Sequence, residues 1–182
     1  MEQATILSGF GGQGILFAGQ VLAHAGMAED RHVSWLPSYG PEMRGGTASC
    51  TVIVSDAPIG SPVVDRADIV IALNPPSLAR FEGLLAPGGL LVLNDSLIEA
   101  EPRRTVMEVL RLPCSALARE VGDERVISVI ALGGALARRR IVSPESMRAA
   151  LLELAAKGGQ EVVAMNLRAF ALGFERGAPI EA

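Results

Sequence analysis

The sequence predicts an α/β domain with a mostly parallel sheet, and three observations carry that expectation. Ala67–Leu73 (ADIVIAL) and Leu90–Asn94 (LLVLN) are near-continuous apolar runs, the pattern of strands covered on both faces. A glycine-rich turn, Gly9–Gly14 (GFGGQG), separates a short apolar run from a helix-periodic segment. Strand-like and helix-like stretches then alternate, and the last third is helical, the order of a layered α/β domain. At 182 residues the chain is read as a single domain over 1–182.

Ala4–Ser8 is an apolar run ending at glycine, a buried strand. Ile15–Ala28 carries Ile15, Gly19, Leu22 and Gly26 at helical spacing. His32–Leu36 is a second strand, with Val33 and Trp35 on one face. Pro37–Gly46 (PSYGPEMRGG) is dense in proline and glycine and is expected to be a loop. Thr47–Val54 alternates: Ala48, Cys50, Val52 and Val54 face one way, Thr47, Ser49, Thr51 and Ile53 the other. It is expected at an antiparallel or edge position. Asp56–Pro62 is a loop. Ser77–Leu85 is a short helix, stopped by Pro87-Gly88-Gly89, and Val106–Leu112 leans to strand.

Arg125–Arg139 places Val126, Ile130, Gly133, Gly134 and Ala137 on one helical side. Ser143-Pro144-Glu145 then supplies an N-cap, a proline at the first helical position and a carboxylate near the positive end of the dipole. Gly158-Gly159 breaks that helix, and Glu161–Glu175 resumes with Val163, Leu167, Phe170 and Phe174 on one stripe. Arg138-Arg139-Arg140 reads as a solvated helix end.

Composition narrows the function. Cys50 and Cys114 are too few for a disulfide framework, a four-cysteine zinc site or an iron–sulfur cluster. A net charge of -4 argues against nucleic acid. The start of the chain lacks a basic n-region and an unbroken apolar run, and no segment is long and apolar enough to span a bilayer, so a cytoplasmic location is expected. Apolar residues make up 49% and charged residues 20% of the chain, with a mean hydropathy of +0.36. That balance suggests a surface partly covered by another chain, a homodimer of the isolated chain included.

The turn satisfies G-x-G-x-x-G through Gly9, Gly11 and Gly14, after a strand and before a helix. Such glycines let an anion approach a helix N-terminus, or they pack a strand tightly against a helix. A dinucleotide site also needs an acid at the end of the second strand. Here that strand ends in Trp35-Leu36-Pro37-Ser38, and Glu29 and Asp30 precede it, which disfavours NAD.

Two motifs read together, GFGGQG at Gly9–Gly14 and SYGPEMRGGTA at Ser38–Ala48, resemble the gamma subunit of the 2-oxoacid:ferredoxin oxidoreductases. The likeness continues through Ser61–Asn74, Pro87–Asn94 and the helical tail, and is nearest to the 2-oxoglutarate branch. Pyruvate, ketoisovalerate and indolepyruvate relatives share the glycine turn and the R-G-G. The resemblance implies a Rossmann-like domain in a complex with alpha and beta subunits and a ferredoxin-like delta subunit. Such a complex turns a 2-oxo acid, coenzyme A (CoA) and oxidised ferredoxin into acyl-CoA, CO₂ and reduced ferredoxin. Thiamine diphosphate, Mg²⁺ and iron–sulfur clusters belong to the other subunits. This chain is expected to bind no cofactor or metal, to supply no catalytic residue, and to shape the CoA or substrate side.

On that reading Gly9, Gly11, Gly12, Gln13, Gly14 and Asn74 are the expected CoA or phosphate contacts. Tyr39, Glu42, Arg44, Gly45 and Gly46 form a loop for substrate or a subunit interface. Arg44 suits bidentate binding of phosphate or carboxylate, and Glu42 either orients it or pairs with a partner's arginine. Asn74 and Asn94 follow strands where α/β sheets expose ligand crevices, and either touch ligand or cap the next helix. His24 and His32 read as structural, Cys50 as a buried small hydrophobe and Cys114 as a loop residue. A stand-alone dinucleotide-binding oxidoreductase and a purely structural scaffold are the alternative readings.

Overall fold

The computed structural model describes residues 1–39, 46–103, 105 and 107–179. Six strands are β1 (Glu2–Phe10), β2 (His32–Tyr39), β3 (Thr47–Ser55), β4 (Ala67–Ala72), β5 (Leu85–Asn94) and β6 (Glu108–Leu112). They lie in the order β2-β3-β1-β4-β5-β6. β1, β4, β5 and β6 run parallel, while β3 is antiparallel to both neighbours, β1 and β2. The helices are α1 (Ile15–Ala28), α2 (Pro75–Phe81), α3 (Cys114–Val121), α4 (Ile127–Arg138), α5 (Pro144–Ala155) and α6 (Gln160–Gly177).

The continuous apolar run in β4 follows from its two covered faces. Ile69 and Ile71 enter the larger core with Leu7, Leu22, Val52 and Phe170. Val70 and Ala72 enter a second core with Ile6, Leu78, Phe81 and Leu91. Leu22 and Phe170 are fully buried, and each such side chain contributes about 1.5–3 kcal/mol. α4 and α6 cross with backbones nearly touching: a Cβ on Gly173 would overlap the Ile130 carbonyl. That close crossing brings the C-terminal helices over the larger core.

Several expectations hold in detail. Ser143 Oγ accepts from the Ser146 amide at 3.0 Å and Pro144 opens α5. Val33 and Trp35 pack against the larger core from β2. Gly159, at φ +89, separates α5 from α6. Thr47–Val54 is antiparallel, although it sits between β1 and β2 rather than at the edge.

Other expectations are corrected. Pro37, Ser38 and Tyr39 are not loop; they extend β2 opposite Cys50, Ser49 and Ala48. β2 is the outer strand, where a residue without an N–H is tolerated. Pro87-Gly88-Gly89 is not a break before a strand but part of β5, where the pairing with β4 shifts register and Gly88 takes φ +74. The helix expected over Ser77–Leu85 starts at Pro75 and ends at Phe81, followed by a 3-10 turn at Glu82–Leu84. Cys114 is not in a loop: it opens α3 and is fully buried. Arg138 and Arg139 are not merely solvated, because both reach Glu108, at 3.2 and 2.7 Å. Arg138 Nε also donates to the Gly177 carbonyl at 2.5 Å.

Candidate functional site

The glycine turn begins inside the sheet. Gly9 and Phe10 end β1 opposite Ala48 and Thr47. The Gly11 amide donates to the Gly46 carbonyl at 3.2 Å. Gln13 folds back on the turn: its Oε1 accepts from the Phe10 amide at 2.7 Å, and its own amide donates to the Phe10 carbonyl at 3.3 Å. Gln13 is thereby buried. Gly12 takes φ +94 with open space where a Cβ would lie. Gly14 takes φ +76 as the N-cap of α1, and a Cβ there would overlap the Arg125 carbonyl.

The turn is clamped from the far end of the chain. Ser128, in the first turn of α4, donates through its hydroxyl to the Gln13 carbonyl at 2.7 Å and through its amide at 3.3 Å. α1 has no side-chain cap and no acid in its first turn. Its leading N–H groups therefore lack intrahelical partners and carry the positive end of the dipole.

This helix end opens on a cleft of about 510 Å³. Gly11, Gly12 and Gly14 line it, with Gly46, Thr47 and Ala48 contributed by the start of β3 and the residue before it. Phe17, Leu154, Val162 and Met165 supply much of its apolar wall. The polar side chains along it include Asp123, Arg125 and Asn166. Arg125 holds Asp123 through Nε at 2.9 Å and Nη2 at 2.6 Å. Those hydrogen bonds keep the Asp123 carboxyl below its usual range and raise the Arg125 guanidinium. Both groups stay charged, and the Arg125 side chain is 72% exposed. Asn166 is only 5% exposed, and its Nδ2 donates to the Val162 carbonyl at 2.8 Å.

The residues singled out from sequence divide clearly. Gly11, Gly12, Gly14 and Gly46 line the cleft. Gly9 and Gln13 shape the turn from behind. Asn74 is fully buried as the N-cap of α2, accepting from the Ser77 amide at 2.8 Å. Asn94 does not cap α3, whose N-cap is Pro113; from the end of β5 it accepts from the Ser115 amide at 3.2 Å and donates to the Leu73 carbonyl at 3.2 Å. Tyr39 ends β2 opposite Ala48. Glu42, Arg44 and Gly45 lie outside the described residues. Sequence reasoning missed Asp123, Arg125 and Asn166. A signal existed for Asn166, which interrupts the apolar stripe of Val163, Leu167 and Phe170 with an amide.

The donor set does not fit a metal cluster. Among the described residues no group of three or more His, Cys, Asp or Glu side chains could hold a metal ion. Cys50 and Cys114 are both buried, and burial pushes each thiol up to about 12. Among the described residues no helix is long and apolar enough to cross a membrane.

The fold is that of a Rossmann-like α/β domain with a glycine turn between its first strand and first helix. The chain belongs to the pyruvate ferredoxin/flavodoxin oxidoreductase family, whose model matches residues 4–176. It is 38% identical over 170 residues to the ketoisovalerate oxidoreductase subunit VorA of Methanothermobacter thermautotrophicus, covering 93% of this chain and 35% of that one. The chain thus spans about a third of that relative's length. It is 34% identical over 178 residues to the 2-oxoglutarate synthase subunit KorC of Methanocaldococcus jannaschii, covering 96% of this chain and 94% of that one. The crystal structure of a keto/oxoacid ferredoxin oxidoreductase gamma subunit from Geobacter sulfurreducens superposes with a TM-score of 0.86 at 30% identity, covering 97% of each chain.

Proposed function

We propose that the chain is the gamma subunit of a 2-oxoacid:ferredoxin oxidoreductase and that its glycine turn receives phosphate of CoA. The observation that carries the reading is the uncapped N-terminus of α1 behind Gly14, open to the cleft. Backbone N–H groups of Gly12, Gly14 and the first turn of α1 suit an anion. The open space at Gly12 leaves room for its approach. Arg125 stands at the same cleft with an exposed guanidinium, and donates well to phosphate. Gly9 and Gln13 hold the turn's shape, and Asn74 holds α2 in place.

Within the complex this chain's residues bind and orient CoA and exclude water from its side of the site. Thiamine diphosphate with Mg²⁺ and iron–sulfur clusters, held by alpha, beta and ferredoxin-like delta subunits, would supply decarboxylation and electron transfer. Tyr39, Glu42, Arg44, Gly45 and Gly46 form the segment that meets substrate or a neighbouring subunit. The complex works in the cytoplasm on 2-oxoglutarate, as the likeness to the 2-oxoglutarate synthase subunit supports. Ketoisovalerate is the second reading, favoured by the 38% identity to the ketoisovalerate subunit.

The test is reconstitution of the complex with and without this chain. Acyl-CoA and reduced ferredoxin are followed with 2-oxoglutarate and ketoisovalerate side by side. Activity is expected only when this chain joins its partners, with Arg44→Ala raising the KM for CoA or for the 2-oxo acid, or loosening assembly. Full activity of the complex without this chain would overturn the reading.

A further inference from the structure

Two peptide groups flank Gln13, and they are held in different ways. The one before it is fixed locally, by the Gln13 amide donating to the Phe10 carbonyl at 3.3 Å. The one after it, which joins Gln13 to Gly14, is fixed from 115 residues away. Its carbonyl accepts from the Ser128 hydroxyl at 2.7 Å and from the Ser128 amide at 3.3 Å. α4 has no side-chain N-cap and no acid in its first turn, so the Gln13 carbonyl takes the place of a cap there. In a trans peptide the C=O and the following N–H point opposite ways. With the carbonyl turned to α4, the Gly14 N–H points away from α4, and Gly14 lines the cleft.

This peptide is one that could turn over. Gly14 stands at φ +76, and glycine accepts either sign of φ. Reversal would put the Gln13 carbonyl where the N–H stands and set an oxygen against any anion at the turn. Ser128 and Gly14 also fit as a pair: a Cβ on Gly14 would come within 3.0 Å of Ser128 Oγ. The positive end of α4 draws charge onto the Gln13 carbonyl, which strengthens the N–H on the other side of the same peptide.

We infer that Ser128 is a positioning residue, whose hydroxyl locks the Gln13–Gly14 peptide with its N–H, not its C=O, toward an anion at the glycine turn. The inference rests on the reading of that turn as a phosphate site. Ser128 itself is fully buried and acts through Gly14.

The experiment uses the full chain and inorganic pyrophosphate, with binding measured by titration calorimetry. Ser128→Ala removes the hydroxyl and is expected to weaken pyrophosphate about tenfold, the upper range for one hydrogen bond. Ser128→Cys keeps nearly the same size with a weaker donor, and its affinity should fall between the two. Ser143→Ala is the control for stability: it removes the N-cap of α5, a loss of similar size, and should bind as wild type does. In wild type the Gly14 amide proton should move downfield as pyrophosphate is added, a readout independent of how the variants fold. Wild-type affinity in Ser128→Ala and Ser128→Cys, equal weakening in Ser143→Ala, or an unmoved Gly14 resonance overturns the inference, while pyrophosphate binding to wild type keeps the anion reading. No binding of pyrophosphate to wild type overturns the anion reading and the inference with it.

Discussion

The Ser128 hydroxyl donates to the Gln13 carbonyl at 2.7 Å across 115 residues of sequence. Ser128 is fully buried, and it joins the glycine turn to the N-terminus of α4. The turn's shape is therefore held by the C-terminal helices as well as by its own glycines. Ser128→Ala removes the hydroxyl and keeps the backbone bond. Urea unfolding should show a loss of about 1 kcal/mol, the usual worth of one buried hydrogen bond. An unchanged midpoint would mean that the clamp is redundant.

Gly12 and Gly14 both have positive φ but should differ sharply on substitution. Gly12→Ala meets only the conformational penalty, about 1–2 kcal/mol, since nothing lies within 4 Å of its Cβ position. Gly14→Ala adds overlap with the Arg125 carbonyl, which has to move together with the start of α4. Thermal melts of the two variants should place Gly14→Ala well below Gly12→Ala. Equal melting temperatures would show that the junction gives way freely.

Glu29 predicts an acid-side loss of stability. Partial burial pushes its carboxyl up, but hydrogen bonds from the Ser143 amide and the Ser143 and Ser146 side chains, with Arg31 nearby, bring it below its usual 4.5. The Ser143 amide donates to Glu29 Oε1 at 2.6 Å. A depressed carboxylate stabilises the fold fully above the unfolded value, and that contribution is lost as pH falls through the folded value. Wild type should therefore lose stability relative to Glu29→Gln as pH falls below 4.5. Parallel pH profiles for the two proteins in chemical denaturation would contradict it.

Arg125→Ala separates binding from folding. Its side chain is 72% exposed and its pairing with Asp123 is at the surface, so the melting temperature should change little. Binding of CoA should weaken, with a shallower salt dependence, because one exposed cation has left the cleft. Arg125→Lys should restore the charge without the two-point grip on Asp123. Wild-type affinity and salt dependence for Arg125→Ala would remove it from the site.

The sequence alone determined the elements whose signals are local. ADIVIAL and LLVLN read as strands covered on both faces, and Ser143-Pro144-Glu145 marked the start of α5 because capping involves residues within one turn. The glycine turn was legible for the same reason: its φ demands and its helix N-terminus sit within six consecutive residues, Gly9–Gly14. Tertiary structure decided whatever depends on neighbours far along the chain. Pro37 extends a strand because β2 lies at the sheet's edge, a fact of strand order that no local pattern carries. Cys114 is buried because α3 packs its first residue into the larger core, and Arg138 and Arg139 find Glu108 because β6 lies beside α4's end. The cleft itself joins residues 10–17 to residues 123–126 and 154–166. Arg125, in the turn that leads into α4, and Asn166, on α6, both reach the cleft because α4 and α6 cross closely.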